Sequence, residues 1–354
     1  MYRYCLSVIL LFTLMSCKGQ SASTANQYTD GIVVGNNIWG LTTTGSIKIF
    51  SLKDGSPVVK PFNNRSAIVA FTTDHAGNVI VADSSNTIQQ IDPNTFKNKF
   101  IGKCDTTVVA LINDSHNNCY ALTNKGIADV VGHHTYFPND FSQRHLRSSN
   151  GKLDRPSAYF IDKDDYIWAA FDYGEWGFDL MAFNTVTKQF KNLGYKKIAK
   201  GMSSPRSIFE GNDGIYMTTS LMHFMVLGSI VRINNFKDTV IFRTGEGSDL
   251  SDKHASFSNP EYIGAGAYNK YNNCLYFYSQ NGIFKGNPKA DLSKIGNWQK
   301  ILQPKLMWTN GQRNAVGAQM NVSKLEFVDK EKFFFISQND GIGLYDGNKL
   351  IMLQ

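Results

Sequence analysis

Arg65, Arg155 and Arg206 each stand where an apolar run begins, in the pairs Arg65-Ser66, Arg155-Pro156 and Pro205-Arg206. A guanidinium offers a planar fork of donors that matches a carboxylate or phosphate, so three of them brought together would bind an anion. Left apart, each would serve a local acid. A second constellation is Asp172-Tyr173-Gly174-Glu175-Trp176, which sets two acids among two large aromatics. Aromatics with a polar handle are favoured at binding surfaces, so Tyr173 and Trp176 read as anchors with Glu175 as a polar contact. The stretch Ser220 to Met225 places Met222, His223 and Phe224 where a loop is normally polar. It reads either as a partner patch or as a longer strand packed inside the molecule. Asp83, Asp172, Glu175 and Asp340 could give oxygen ligands to a calcium ion, although no pattern ties the four together. His133-His134 falls in an insertion from Gly132 to Asp154 and reads as a surface loop. The sequence has no His-Glu-x-x-His, no Gly-x-Ser-x-Gly and no Walker-type glycine loop.

What must position these residues is a repeat. A turn of small polar residues followed by a strand with an aromatic or aliphatic pair occurs seven times. It appears as Gly35-Asn36-Asn37-Ile38-Trp39, Gly77-Asn78-Val79-Ile80, Asn117-Asn118-Cys119-Tyr120 and Asp164-Asp165-Tyr166-Ile167-Trp168. It returns as Asp213-Gly214-Ile215-Tyr216, Asn272-Asn273-Cys274-Leu275-Tyr276 and Lys330-Glu331-Lys332-Phe333-Phe334. The spacing, about 40 to 60 residues with several short strands per unit, predicts a β-propeller. In the fourth unit the expected strands are 157–161, 166–171, 178–184 and 189–193. The fold expected is all-β: seven four-stranded antiparallel blades spanning 30–354. The first unit has strands at 31–34, 38–42, 46–52 and 57–62, and the last at 323–328, 333–337, 341–345 and 349–353. Both units look complete, so the ring should close by apolar packing, with Ile32, Val34, Ile38 and Trp39 meeting Phe334 and Leu344.

The segment Phe160-Ile161-Asp162-Lys163-Asp164-Asp165-Tyr166-Ile167-Trp168 resembles the propeller repeat in the sensor regions of hybrid two-component regulators, and Asp74 to Ile80 matches it next best. The resemblance implies the fold and an extracytoplasmic sensing or binding role, without the signalling output. The same repeat logic also fits propeller lactonases and lyases.

Residues 1–16 carry Arg3 and an apolar stretch too short to cross a bilayer, which fits a secretory signal peptide. Leu14-Met15-Ser16-Cys17 resembles the lipobox of bacterial lipoproteins, which implies a lipid on Cys17 and residence in the cell envelope. Residues 17–29 then form a polar tether. The net charge of +7 is spread along the chain, with no basic block of the kind that marks a nucleic-acid arm. Cys104, Cys119 and Cys274 remain; a Cys104–Cys119 bridge is one reading and buried apolar thiols the other. Three functions stay open. The leading one is a lipid-anchored propeller that docks a protein, peptide or glycan on its rim. The others are a metal-dependent hydrolase or lyase of the propeller lactonase type, and an immunity or inhibitor lipoprotein against an exported toxin.

Overall fold

The computed structural model describes residues 27–58, 66–138, 155–174, 177–191, 193, 203–222, 226–244, 261–307 and 322–353. Strand B of the fourth blade, Tyr166–Asp172, shows why the sequence folds as it does. Successive side chains of a strand point to opposite faces. Ile167, Ala169 and Phe171 pack on one side with Tyr120 and Leu122 of the third blade. Trp168 and Ala170 pack on the other with Ile208, Ile215 and Met217 of the fifth. A sheet covered on both faces must be apolar at nearly every position, and this strand is.

The same unit recurs seven times as an antiparallel meander with strand A joined to B and B to C and, in six of the seven, C to D. Blade 1 has A Tyr28–Val34, B Asn37–Thr42 and C Ile47–Ser51, with Phe50 bridging to Pro57 in place of a fourth strand; the rest of that expected strand lies outside the described residues. Blades 2 and 3 begin at Ile68 and Val108, and blades 4, 5, 6 and 7 at Ala158, Ser204, Ile263 and Val322. Each of these six is four-stranded. Neighbouring blades touch all round the ring, and strand A of blade 5 also touches strand A of blade 7, so the A strands line the axis. The molecule is a seven-bladed β-propeller. No described helix is long and apolar enough to cross a membrane.

Two kinds of turn shape the unit. Between A and B, an aspartate accepts backbone N–H groups: Asp162 Oδ1 takes those of Asp164 and Tyr166 at 3.0 and 2.8 Å, and Asp74 and Asp114 act alike. These turns also tie the blades together. Ser115 N–H donates to Asp165 at 2.8 Å, Lys163 N–H to Glu210 at 2.9 Å, and Asn269 Nδ2 to the Asp329 carbonyl at 3.1 Å. Between C and D, a residue one or two positions before strand D is left-handed, with φ of 58° at Phe96, 58° at Lys188 and 59° at Phe236. That geometry lays each side chain on the strand-B aromatic of the preceding blade. Phe96 stacks on Trp39 with centroids 5.7 Å apart, Phe236 on Trp168 at 5.6 Å, and the Lys188 ammonium sits 4.7 Å over Tyr120.

Two expectations need correction, and one open alternative is decided. Strand A of blade 1 starts at Tyr28 rather than beyond residue 29, because the Tyr28 ring is buried edge-on against Phe50. The ring does close without a shared blade, since Tyr28–Val34 pairs with Asn37–Thr42 alone. However, only Ile38 of the four residues named for the seam packs with Phe334 and Leu344. Val34 and Trp39, with Ile32 beside them, face blade 2, because adjacent residues of one strand cannot share a side. Finally, Cys104 and Cys119 are free thiols buried in the apolar layer between blades 2 and 3. Burial pushes the Cys104 thiol up to about 11 and the Cys119 thiol up to about 12, so both stay protonated and unreactive.

Candidate functional site

Asp83, Asp172 and Asp340 lie at the loops that join strands B and C, and most of the described polar residues there cap turns. At the end of strand B, Thr42 Oγ1 accepts the Ser46 N–H at 3.0 Å and Asp83 accepts those of Ser85 and Thr87 at 2.9 and 3.0 Å. Thr123 Oγ1 accepts from Lys125 at 3.1 Å and Ser279 Oγ from Asn281 at 3.0 Å. Asp340 accepts from Ser337 Oγ at 2.6 Å and from the Met307 N–H at 3.1 Å. Asp83, Asp172 and Asp340 therefore sit in blades 2, 4 and 7 with separate partners. Among the described residues no three His, Cys, Asp or Glu side chains are grouped to hold a metal ion.

The junction of blades 4, 5 and 6 differs. Asp172 caps its own turn through the Gly174 N–H at 2.6 Å, and it also reaches into blade 5. There it accepts a short hydrogen bond from Ser204 Oγ and pairs with Arg206 at 3.7 Å. The Arg206 guanidinium lies 5.4 Å over the ring of Tyr262, which is wholly buried, and Nη2 donates to the Ser220 carbonyl at 3.4 Å. Its Nε is buried with no partner among the described residues. Hydroxyls seal the blades below this cluster. Thr218 Oγ1 donates to the Gly264 carbonyl at 2.8 Å, and Ser220 Oγ accepts from the Ile263 N–H at 2.8 Å. Next to Tyr262, Glu261 is buried with one carboxylate oxygen taken by Asn281 and the other unpartnered among the described residues. Burial raises its pKa above the ordinary carboxylate range, against the hydrogen bonds from Ser279 and Asn281.

A second polar cluster occupies the axis. Lys324, on strand A of blade 7 (Val322–Phe327), donates to Asp30 of blade 1 at 2.9 Å and lies 3.3 Å from Glu326. Asp30 also accepts the Gly31 N–H at 2.7 Å. Tyr159, on strand A of blade 4 (Ala158–Ile161), comes from the opposite side of the ring and sets its hydroxyl against Asp30. Burial holds that hydroxyl well above the usual phenol range, and the Asp30 charge adds to the shift. Burial works against the Lys324 charge, but Asp30 and Glu326 outweigh it and keep the ammonium protonated.

No family model matches the chain, and no curated protein does. Solved structures match across most of its length. The Cps50 (Swd1) β-propeller domain of Myceliophteria thermophila aligns with a TM-score of 0.57 at 10% identity, covering 91% of this chain and 97% of that one. Catalytically inactive virginiamycin B lyase from Staphylococcus aureus with quinupristin aligns with a TM-score of 0.54 at 14% identity, over 90% and 94% of the two chains. KlAtg21 in complex with the coiled-coil of AgAtg16 aligns with a TM-score of 0.51 at 10% identity, covering 93% and 100%. At such identities the likeness is one of fold. These structures include a lyase and a protein-bound propeller, so the fold alone does not choose between chemistry and docking.

Of the residues singled out in the sequence, Arg206 and Asp172 are brought together, and Tyr173 follows them. Tyr173 is half-buried and packs against the apolar layer between blades 3 and 4, instead of standing free on the rim. Arg206 serves the local acid Asp172, which is the alternative to a three-arginine anion cradle. Arg155 is exposed at the entry to strand A of blade 4, near Tyr159. Strand B of blade 5 runs on to Met222, which pairs with Val226, so the apolar stretch there begins as strand. Arg65, Glu175, Trp176, His223 and Phe224 lie outside the described residues, as do the Met222 side chain and Cys17. Sequence reasoning missed Asp30, Tyr159, Lys324 and Glu326. The available signal was polar residues at alternate positions of the innermost strand, as in Lys324-Leu325-Glu326.

Proposed function

We propose that the chain is a lipid-anchored envelope protein whose propeller docks a protein, peptide or glycan on its B–C face, at the junction of blades 4, 5 and 6. The observation that carries this reading is Arg206: a half-buried guanidinium 5.4 Å over the Tyr262 ring and paired with Asp172, its Nε without a partner among the described residues, on the face where Tyr173 also lies. Preset cationic and aromatic groups of this kind are what binding hot spots are made of. The axis supports docking over chemistry in the channel, because Tyr159, Asp30 and Lys324 meet across it. Strand A of blade 1 begins on the same B–C face, so on this reading a lipidated Cys17 would hold the rim towards the membrane.

Two experiments test the reading. Cys17→Ala is expected to move the protein from the membrane fraction to the soluble fraction; unchanged partitioning would reject the anchor. In cells, a photoreactive residue in place of Tyr173 should capture adducts that the same residue in place of Lys163, on the opposite face, does not. Arg206→Ala should weaken the captured complex by about 2 kcal/mol. Equal capture from both faces would reject the rim.

A further inference from the structure

On the opposite face, between the A–B turns of blades 4 and 5, lies a half-open cleft of about 370 Å³. That volume lies within the ~300–1,000 Å³ of small-ligand sites. Its inner wall is aromatic. Trp168 is buried at the base, Phe236 stacks on it, and Tyr166 meets Phe236 edge-on at 5.4 Å. Phe236 and Tyr166 are only half-buried and so present ring surface to the opening.

The outer wall is polar, and its lysine and arginine are each paired. Lys163 pairs with Glu210 at 3.3 Å, and Arg232 with Asp213 at 2.7 Å. Asp162 receives the Trp168 indole N–H at 2.7 Å. These pairs leave no free cation for an anion to meet among the described residues, and they fix donors and acceptors side by side. Asp164 is exposed, and its carboxylate has no partner among the described residues. Asn235 stands across the cleft on the C–D turn of blade 5, with a carboxamide that both donates and accepts.

An apolar flank facing a rim of paired cations and carboxylate acceptors complements a molecule that is itself amphipathic, rich in hydroxyl donors and free of negative charge. A pyranose is such a molecule: its C–H face packs on aromatic rings, and its hydroxyls each donate and accept. We infer that this cleft binds a neutral hexose unit, with Tyr166 and Phe236 against the ring face and Asp164 and Asn235 on adjacent hydroxyls. The inference stands apart from the docking rim, since the two sites are on opposite faces.

The test is saturation-transfer NMR on the full chain, held in a detergent without a sugar headgroup, against glucose, galactose, mannose and N-acetylglucosamine. At least one sugar is expected to receive saturation. Asp164→Ala and Phe236→Ala should each weaken it roughly tenfold, a change of 1.4 kcal/mol, while Arg206→Ala should leave it unchanged. Asp164 is exposed and its side chain supports no described neighbour, so that variant decides the matter even if Phe236→Ala loosens the blade. The inference is overturned if no sugar in the panel receives saturation, or if both cleft variants bind as before. Loss of binding in Arg206→Ala alone would also overturn it, and would place the sugar on the rim.

Discussion

Glu261 is a carboxyl group buried beside the proposed rim with only one oxygen satisfied among the described residues. An uncompensated buried charge is costly, so the group holds its proton to higher pH than it would in the unfolded chain. The sign of the consequence follows from proton counting. Above the unfolded carboxylate value of about 4.3 the folded protein binds more protons than the unfolded one, so stability falls as pH rises through the folded value. Asp162, also raised by burial, adds a slope of the same sign. Glu261→Gln keeps an acceptor for Asn281 and removes the ionisation. Urea unfolding at several pH values between about 5 and 8 is expected to show a shallower decline for Glu261→Gln than for the parent. Identical slopes would mean that Glu261 ionises freely in the folded state. The adjacent Arg206 and Asp172 make the contrast clear: there a half-buried charge lies beside its counter-charge, and the cost is offset in place.

At the scale of the element, the C–D turn places one side chain on the aromatic of the blade before it, and the turns differ in what they place. Phe96 lies flat on Trp39, with an interplanar angle of 6°. Lys188 instead offers an ammonium to Tyr120 and to Asp129 at 3.3 Å. Both residues have φ of 58°, so alanine brings the same backbone strain to each, and the difference between the two variants isolates the side-chain contact. Phe96→Ala should cost about 2 kcal/mol through lost apolar contact and stacking. Lys188→Ala should cost less, about 1 kcal/mol, because its ion pair is partly solvated. Thermal melts of both variants check the order, and a reversal would show that the stack contributes little. These turns also mark how far the sequence could be read. Blade number and the A–B turns were legible because an aspartate followed by small polar residues and an apolar strand has one good local geometry, seen at Asp74, Asp114 and Asp162. The roles of the B–C loops were not legible, because a capping Thr or Asp and a ligand-binding one are the same residue type. Thr42, Asp83 and Ser279 reveal their role only through the N–H groups they face. The axial cluster was illegible for another reason: Asp30, Tyr159 and Lys324 are distant in sequence, and only the closed ring brings them together.

For the whole molecule the question is how a ring of separate blades stays shut. Many of its junctions resemble one another, with apolar layers between blades and polar links between turns. The seam between blades 7 and 1 joins the two ends of the chain, so its contacts are the most distant in sequence and close the largest loop. Apolar packing there is tight: a Cβ added at Gly40 would lie 2.7 Å from Ile342 and 2.8 Å from the Tyr28 ring. Charge reinforces the packing. The Lys324 ammonium binds Asp30, and Lys332 donates to the Leu52 carbonyl at 3.3 Å. The Lys324 and Asp30 side chains are 30% and 23% exposed, which places their pair between a solvent-screened surface bridge and a buried one. Lys324→Met keeps the aliphatic stem and deletes the charge, leaving Asp30 facing Glu326 without a cation. A loss of about 2 kcal/mol is expected. Because no strand is shared between the last blade and the first, that loss should be local as well as global. Hydrogen exchange should quicken first in Tyr28–Val34 and Val322–Phe327, while strands A and B of blade 3, Val108–Asn113 and Cys119–Thr123, keep their protection until global unfolding. Uniform acceleration around the ring would show that the seven blades open as one cooperative unit and that the seam is no weaker than the other junctions.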